Sequence, residues 1–331
     1  MSKEYAVICD PHGGLKRQAG TTPRSMVEYS SQQNSLLQGI LSACEAQEVI
    51  LLGDIFNEAL VSYETIVATA EALRSFSGRK WLVKGNHDQG GNQEKLTAFD
   101  LLGYMLAGDN TVMVTEAAEI EPDFWIVPHL PNQAQFDEAI AALPDGSTLL
   151  AHCNYDNGFA LEKDHSLNLS REQASRFDHV ILGHEHAKRD LPGVDILGAI
   201  YPCNIGECGT AKGFHYWDGP GHDVEFQQTW SVEDYAELNW RELLGSQNQA
   251  KFIRITGEAT AEEAAQVIDE VSKFRASSGA FFVSNSVKVG TLELGELEDF
   301  EDGKLTGFDA LGALKEMLPK QFHERMEGLL V

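Results

Sequence analysis

The stretch YAVICDPHGG, Tyr5–Gly14, sets an apolar run directly against Asp10, His12 and a pair of glycines. A strand tip carrying Asp-x-His aims a carboxylate and an imidazole at one place beyond the sheet. Gathering them there is costly unless something uses both. The design returns at four later run ends. LLGD places Asp54 after Val49–Leu52, and VKGNHD places Asn86, His87 and Asp88 after Trp81–Val83. LLAH places His152 after Thr148–Ala151, and ILGHEH places His184 and His186 after His179–Leu182. Helical patterns alternate with these runs at Ser25–Glu48, at Ser62–Phe76 behind a serine cap, and near Gln133–Leu143. Phe124–Val127 and Val194–Leu197 read as further strands. Repeated strand–helix units predict an α/β fold with a largely buried central sheet.

In an open α/β sheet the loops beyond the strands' carboxyl ends converge on one crevice. Five loops would then bring together Asp10, His12, Asp54, Asn86, His152, His184 and His186. Seven such donors exceed what one tetrahedral ion takes, so two divalent ions are expected. Mixed nitrogen and oxygen donors suit Mn²⁺, Fe²⁺ or Zn²⁺ better than Ca²⁺, with Mn²⁺ the expected occupant. Two ions about 3.5–4 Å apart can clamp phosphoryl oxygens and generate a bridging hydroxide, which is what phosphate-ester hydrolysis lacks unassisted. Asp54 is the natural bridging carboxylate. His87, with Asp88 beside it to orient the imidazole, is the candidate proton donor to the leaving oxygen. His165, His179, His215, His222 and His323 fall outside the pattern and read as ordinary residues, and His129, in IVPHLP, reads as shaping a loop, with contact to substrate as the alternative.

The 331 residues suffice for one large domain and a smaller one, and 43% hydrophobic residues rule out wholesale disorder. No apolar run approaches the ~20 residues of a membrane span, and the start MSKEYAVICD lacks a cationic-then-apolar leader. Five cysteines without CxxC spacing fit a reducing compartment, so a cytoplasmic location away from membranes is expected. The formal charge of −26 opposes tight nucleic-acid binding by this chain alone, since such affinity rests on phosphate neutralisation.

D-x-H, G-D, G-N-H-D, H and G-H-x-H in this order resemble the calcineurin-like metallophosphoesterase superfamily over roughly the first 217 residues. The resemblance implies a two-sheet sandwich flanked by helices and a dinuclear centre. One ion would take Asp10, His12, Asp54 and His186, the other Asp54, Asn86, His152 and His184, with His87 as the acid. FWIVPHLP, together with Gly206-Glu207 and Lys212-Gly213-Phe214, is similar to SbcD-like DNA exonuclease subunits. That likeness implies a nuclease, exonucleolytic or endonucleolytic, serving DNA repair or recombination beside an SMC-type ATPase. Residues 1–220 would form the catalytic domain, 221–250 a linker, 251–300 a small β-α-β capping domain, and 301–331 a helical segment that either packs into the core or docks the ATPase. DNA and the ATPase are the expected partners, and a homodimer stays open. Asn57 stands where many family members carry a histidine that binds the substrate phosphate. Lys16, Arg17 and Arg24 form a basic loop that could steer a DNA strand, Arg17 being the nearest candidate contact. Two alternatives remain: a phosphoesterase acting on small nucleotides or phosphoproteins, and a non-catalytic binding protein.

Overall fold

The computed structural model describes residues 4–15, 25–90, 95–156, 166–243, 246 and 248–290. Arg17 with its basic neighbours, His165, the acidic stretch Glu293–Asp302 and the C-terminal helical segment lie outside the described residues. The chain first builds β1 (Tyr5–Ile8), α1 (Ser25–Ala43), β2 (Glu48–Leu52), α2 (Tyr63–Arg74), β3 (Arg79–Val83), α3 (Ala98–Met105) and β4 (Thr111–Val114). Next come β5 (Ala118–Glu121), β6 (Phe124–Val127), α4 (Gln133–Ala142), β7 (Thr148–His152), β8 (Asn154–Tyr155), β9 (Asn168–Leu169) and α5 (Arg171–Ala174). Then follow β10 (His179–Gly183), β11 (Arg189–Leu191), β12 (Val194–Ile196), β13 (Lys212–Trp217) and β14 (Glu225–Trp230). The last elements are β15 (Tyr235–Asn239), β16 (Phe252–Thr256), β17 (Glu258–Ala259), α6 (Ala264–Ser277), β18 (Phe282–Asn285) and β19 (Lys288–Val289).

Two six-stranded mixed sheets carry the fold, ordered β14-β13-β1-β2-β3-β4 and β11-β12-β10-β7-β6-β5. Their centres are parallel and covered on both faces, which is why β1, β2, β7 and β10 read as unbroken apolar runs. Alternate residues serve different layers. Tyr5, Val7, Ile50 and Leu52 meet Phe124, Ile126, Leu150 and Ile181 between the sheets. Ala6, Ile8, Val49 and Leu51 instead face Leu37, Ile40, Ile66 and Leu73 on the helices outside the first sheet. Leu149, Ala151, Val180 and Leu182 face Phe136 and Ile140 of α4 outside the second. This is the expected two-sheet sandwich flanked by helices.

Ser62 caps α2, its side chain accepting from the Thr65 amide, as the sequence predicts. Two strands lie inside the segment read as a linker. β14 extends the first sheet through β13, and β15 joins β16 and β18 in a small parallel sheet on which α6 packs. Trp230 and Phe252, ring centroids 4.9 Å apart, join this small unit to the end of β14. The last β segment of this unit is two short strands, β18 and β19, interrupted at Ser286 and Val287. The described residues belong to one compact unit ending at Gly290. Among them no helix is long and apolar enough to cross a membrane.

Candidate metal centre

The loops after β1, β2, β3, β7 and β10 meet at the carboxyl ends of the parallel strands and bring all seven donors into one cleft. Asp10 is fully buried and accepts from the His184 amide at 3.1 Å. His12 Nε2 lies 3.0 Å from His186 Nε2 and 3.7 Å from Asp54 Oδ2. Asp54 Oδ1 lies 3.4 Å from His152 Nε2. His152 Nε2 and His184 Nδ1 both reach Asn86 Oδ1, at 3.0 and 2.9 Å. Among the described residues, three sets of side chains place ligand atoms within 4.8 Å of one another: Asp54, His152 and His184; His12, Asp54 and His87; and His12, His186 and Cys203. Asp54 belongs to two of them, as a bridging carboxylate must.

The backbone is bent to make this arrangement. Asp10, His12, Asp54 and His184 adopt φ of 51°, 41°, 48° and 87°, in the left-handed region that side chains avoid. A Cβ on Gly53 would come 2.0 Å from His152 Nδ1, and one on Gly85 would come 2.1 Å from the Asp54 amide and Oδ1. The glycines of G-D and G-N-H-D are therefore space for the donors themselves.

The residues present fit a pair of cations. Asp10 Oδ1 and His12 Nδ1 are buried with no hydrogen-bond partner. An orphaned carboxylate oxygen among imidazoles is what a bound cation would satisfy. His152 Nδ1 donates to the Leu52 carbonyl at 2.9 Å, which fixes the tautomer and leaves Nε2 facing the cleft.

The calcineurin-like phosphoesterase family matches this chain over residues 5–188. The chain belongs to that family. Similar solved structures include the phosphopantetheinyl hydrolase PptH of Mycobacterium tuberculosis, 13% identical over 60% of this chain and 90% of that one, TM-score 0.38. Nuclease MPE of Pseudomonas putida is 17% identical over 45% and 60%, TM-score 0.26. Purple acid phosphatase PPD1 of yellow lupin (Lupinus luteus) seeds is 16% identical over 70% and 47%, TM-score 0.32. This chain thus spans less than two thirds of the last two. No curated protein matches it. Membership of the phosphoesterase family makes the chain a metal-dependent phosphoester hydrolase with a dinuclear site, for which the Asp and His clusters are the candidates.

In this phosphoesterase His87 stands at the cleft mouth, 43% exposed, with Nε2 3.9 Å from Asp54 Oδ2. Its Nδ1 donates to the Asn57 carbonyl at 2.6 Å. Asp88 has a different job from the one expected. It is fully buried, and its carboxylate accepts from the amides of Ile55, Phe56 and Gly85 at 3.2, 2.9 and 2.9 Å. It ties the β2 and β3 loops together, and the Asn57 backbone, not Asp88, orients His87. The correction has a simple cause, since adjacent residues in a loop need not point the same way.

Burial alone would raise the Asp54 carboxyl, but the His152, His12 and His87 imidazoles hold it well below the usual carboxylate range. Burial lowers His12 to about 3 despite Asp54. It would lower His152 too, yet Asp54 and Asp10 raise that imidazole to about 9. Burial likewise works against His186, which the Cys203 thiol and Glu207 carboxylate bring to about 11.

Sequence reasoning missed the loop behind His186. Glu207 Oε1 meets His186 Nδ1 at 3.1 Å, and Lys212, fully buried, donates to Glu207 at 3.1 Å and to the His186 carbonyl at 2.6 Å. Tyr201 donates to the Pro11 and His12 carbonyls, fixing the first motif's backbone. Gly206-Glu207 and Lys212 were visible only as part of a family likeness, because no spacing rule links a glutamate to a histidine 21 positions away. His129 lies outside the centre, beside a cavity of about 250 Å³ with Lys84 and Thr97.

Proposed function

We propose that the chain is a two-metal phosphodiesterase whose substrate is DNA, working beside an SMC-type ATPase that supplies much of the DNA affinity. Asp10, His12, Asp54 and His186 would hold one divalent ion, and Asp54, Asn86, His152 and His184 the other. When bound, the pair supplies Lewis acidity that activates water and offsets charge on the phosphoryl oxygens. The rest falls to the chain. The Asn57 carbonyl keeps a proton on His87 Nδ1, so a second proton on Nε2 is the one His87 can hand to the departing oxygen. Asp88 holds the two loops that carry Asp54 and His87 in register.

One observation supports this reading most: Asp54, Asn86, His184 and His186 line a cleft of about 590 Å³ together with Asn154, Asn204 and the exposed His87, and Asp10, His12 and His152 are buried against those donors. A cleft of that size with polar walls accommodates a phosphate and its substituents on either side. The charge of −26 favours a second reading, hydrolysis of small nucleotides or phosphoproteins, because phosphate-rich polymers are repelled at long range.

The test compares linear duplex DNA with bis-p-nitrophenyl phosphate as substrates, each with Mn²⁺ and after chelation. Degradation of both with metal, and of neither without, is expected. Cleavage of the small diester with DNA untouched, even with excess metal, moves the assignment to the second reading.

A further inference from the structure

We propose that Cys203 is a sulfur donor to the ion held by Asp10, His12, Asp54 and His186, so that the two halves of the centre prefer different cations. The inference rests on the two-ion reading above and deepens it. Cys203 Sγ and one nitrogen each of His12 and His186 lie within 4.8 Å of one another. Beside the bridging Asp54, the remaining donor is Asp10 Oδ1, fully buried, lacking a hydrogen-bond partner and 4.0 Å from His186 Nε2. Metal–donor bonds of about 2.0–2.3 Å at near-tetrahedral angles put neighbouring donors roughly 3.3–3.8 Å apart. The observed His12–His186 and Asp10–His186 separations of 3.0 and 4.0 Å bracket that value. The thiol is also held in place. The Cys203 amide donates to Glu207 Oε2 at 3.1 Å, and the other oxygen of that carboxylate meets His186 Nδ1 at 3.1 Å. One glutamate thus fixes the loop that brings the sulfur and the ring that brings the nitrogen. The thiol sits against the His186 imidazole, the ring that would share the ion with it, and its contact with the Tyr201 carbonyl is long, at 3.9 Å.

The two halves then differ in chemistry. Asp54, Asn86, His152 and His184 offer two oxygens and two nitrogens, which a hard ion such as Mn²⁺ accepts. Asp10, His12, the shared Asp54, His186 and Cys203 offer two oxygens, two nitrogens and a sulfur. Sulfur selects Zn²⁺ or Co²⁺ over Mn²⁺. Binding releases the thiol proton to solvent. Mixed occupancy, one soft ion and one hard ion, replaces the expectation of two Mn²⁺.

Cobalt reports directly on sulfur ligation, because a thiolate bound to Co²⁺ gives an intense near-ultraviolet charge-transfer band. The metal-free full-length protein, its Cys203→Ser variant and a Cys44→Ala control are each titrated with Co²⁺, with bound metal counted by mass spectrometry. The band is expected in wild type and in Cys44→Ala and is lost in Cys203→Ser, and zinc affinity of the variant falls by at least roughly 10-fold. X-ray absorption of the wild-type zinc form, which needs no variant, is expected to show one sulfur at about 2.3 Å. Two cobalt ions bound with no thiolate band, or a band that survives in Cys203→Ser, overturns the role of Cys203 and leaves the two-ion centre standing. Failure to retain cobalt at all overturns both.

Discussion

At the scale of single residues, strain marks the site as clearly as chemistry does. Four of the seven non-glycine residues with positive φ, among the described residues, are Asp10, His12, Asp54 and His184. Each such conformation costs on the order of 1–3 kcal/mol and persists only where the surroundings impose it. The donors were legible in the sequence because each closes an apolar run, and a run of that kind marks a strand end by itself. The side chains that serve them were not. Asp88 looked like a partner of His87 only by adjacency, whereas its complete burial and three amide donors show a structural acid. His87 stands at the cleft mouth, and a direct test of its role as proton donor is available. His87→Ala should bind metal as wild type does while hydrolysis of a small diester falls roughly 10²–10⁴-fold, the usual worth of general acid–base catalysis. Metal content and turnover measured on one preparation decide it, and loss of metal would make His87 a ligand instead.

At the scale of elements, the centre depends on loops that are held rigid by other loops. Asp88 binds Ile55 and Phe56 of one to Gly85 of the next, and Gly85 leaves the room into which Asp54 fits. Asp88→Ala strands three buried amides, and each unmet buried donor costs about 1–3 kcal/mol. A loss of at least about 3 kcal/mol in denaturant unfolding is expected, with weaker metal retention. Asp88→Asn, which keeps an acceptor oxygen, should lose less than half of that. The parallel central strands were readable because burial on both faces leaves a run of apolar residues and nothing else. The strands that escaped were edge or partly exposed ones. AEIE at β5 and YAELN at β15 carry too little apolar signal to stand out, and their identity comes from their neighbours β6 and β16. The break between β18 and β19 was equally hidden, since a single run of sequence there feeds two sheets.

At the scale of the whole molecule, 51 acidic against 25 basic residues set how stability responds to acid. Protonating surface carboxylates relieves self-repulsion and by itself would favour the folded state as pH falls. Buried groups with lowered pKa values work the other way, His215 among them. His215 on β13 is fully buried against the Phe226 ring, and neither ring nitrogen has a hydrogen-bond partner. Burial, aided by Lys188, lowers its imidazole to about 4 from an ordinary value near 6.5. Between those values the unfolded chain binds a proton that the folded protein refuses, so stability is full above about pH 6.5 and drains away as the pH falls toward 4. The difference amounts to about 3 kcal/mol at most, each tenfold change in proton affinity being worth about 1.36 kcal/mol. His215→Leu fills similar space without a titrating group. Relative to wild type, the variant should gain about 2–3 kcal/mol in unfolding free energy on going from about pH 7 to about pH 4, read from urea titrations at fixed ionic strength. Parallel pH profiles for the two proteins would mean that His215 opens to water on protonation, and that the acid response belongs to the carboxylates alone.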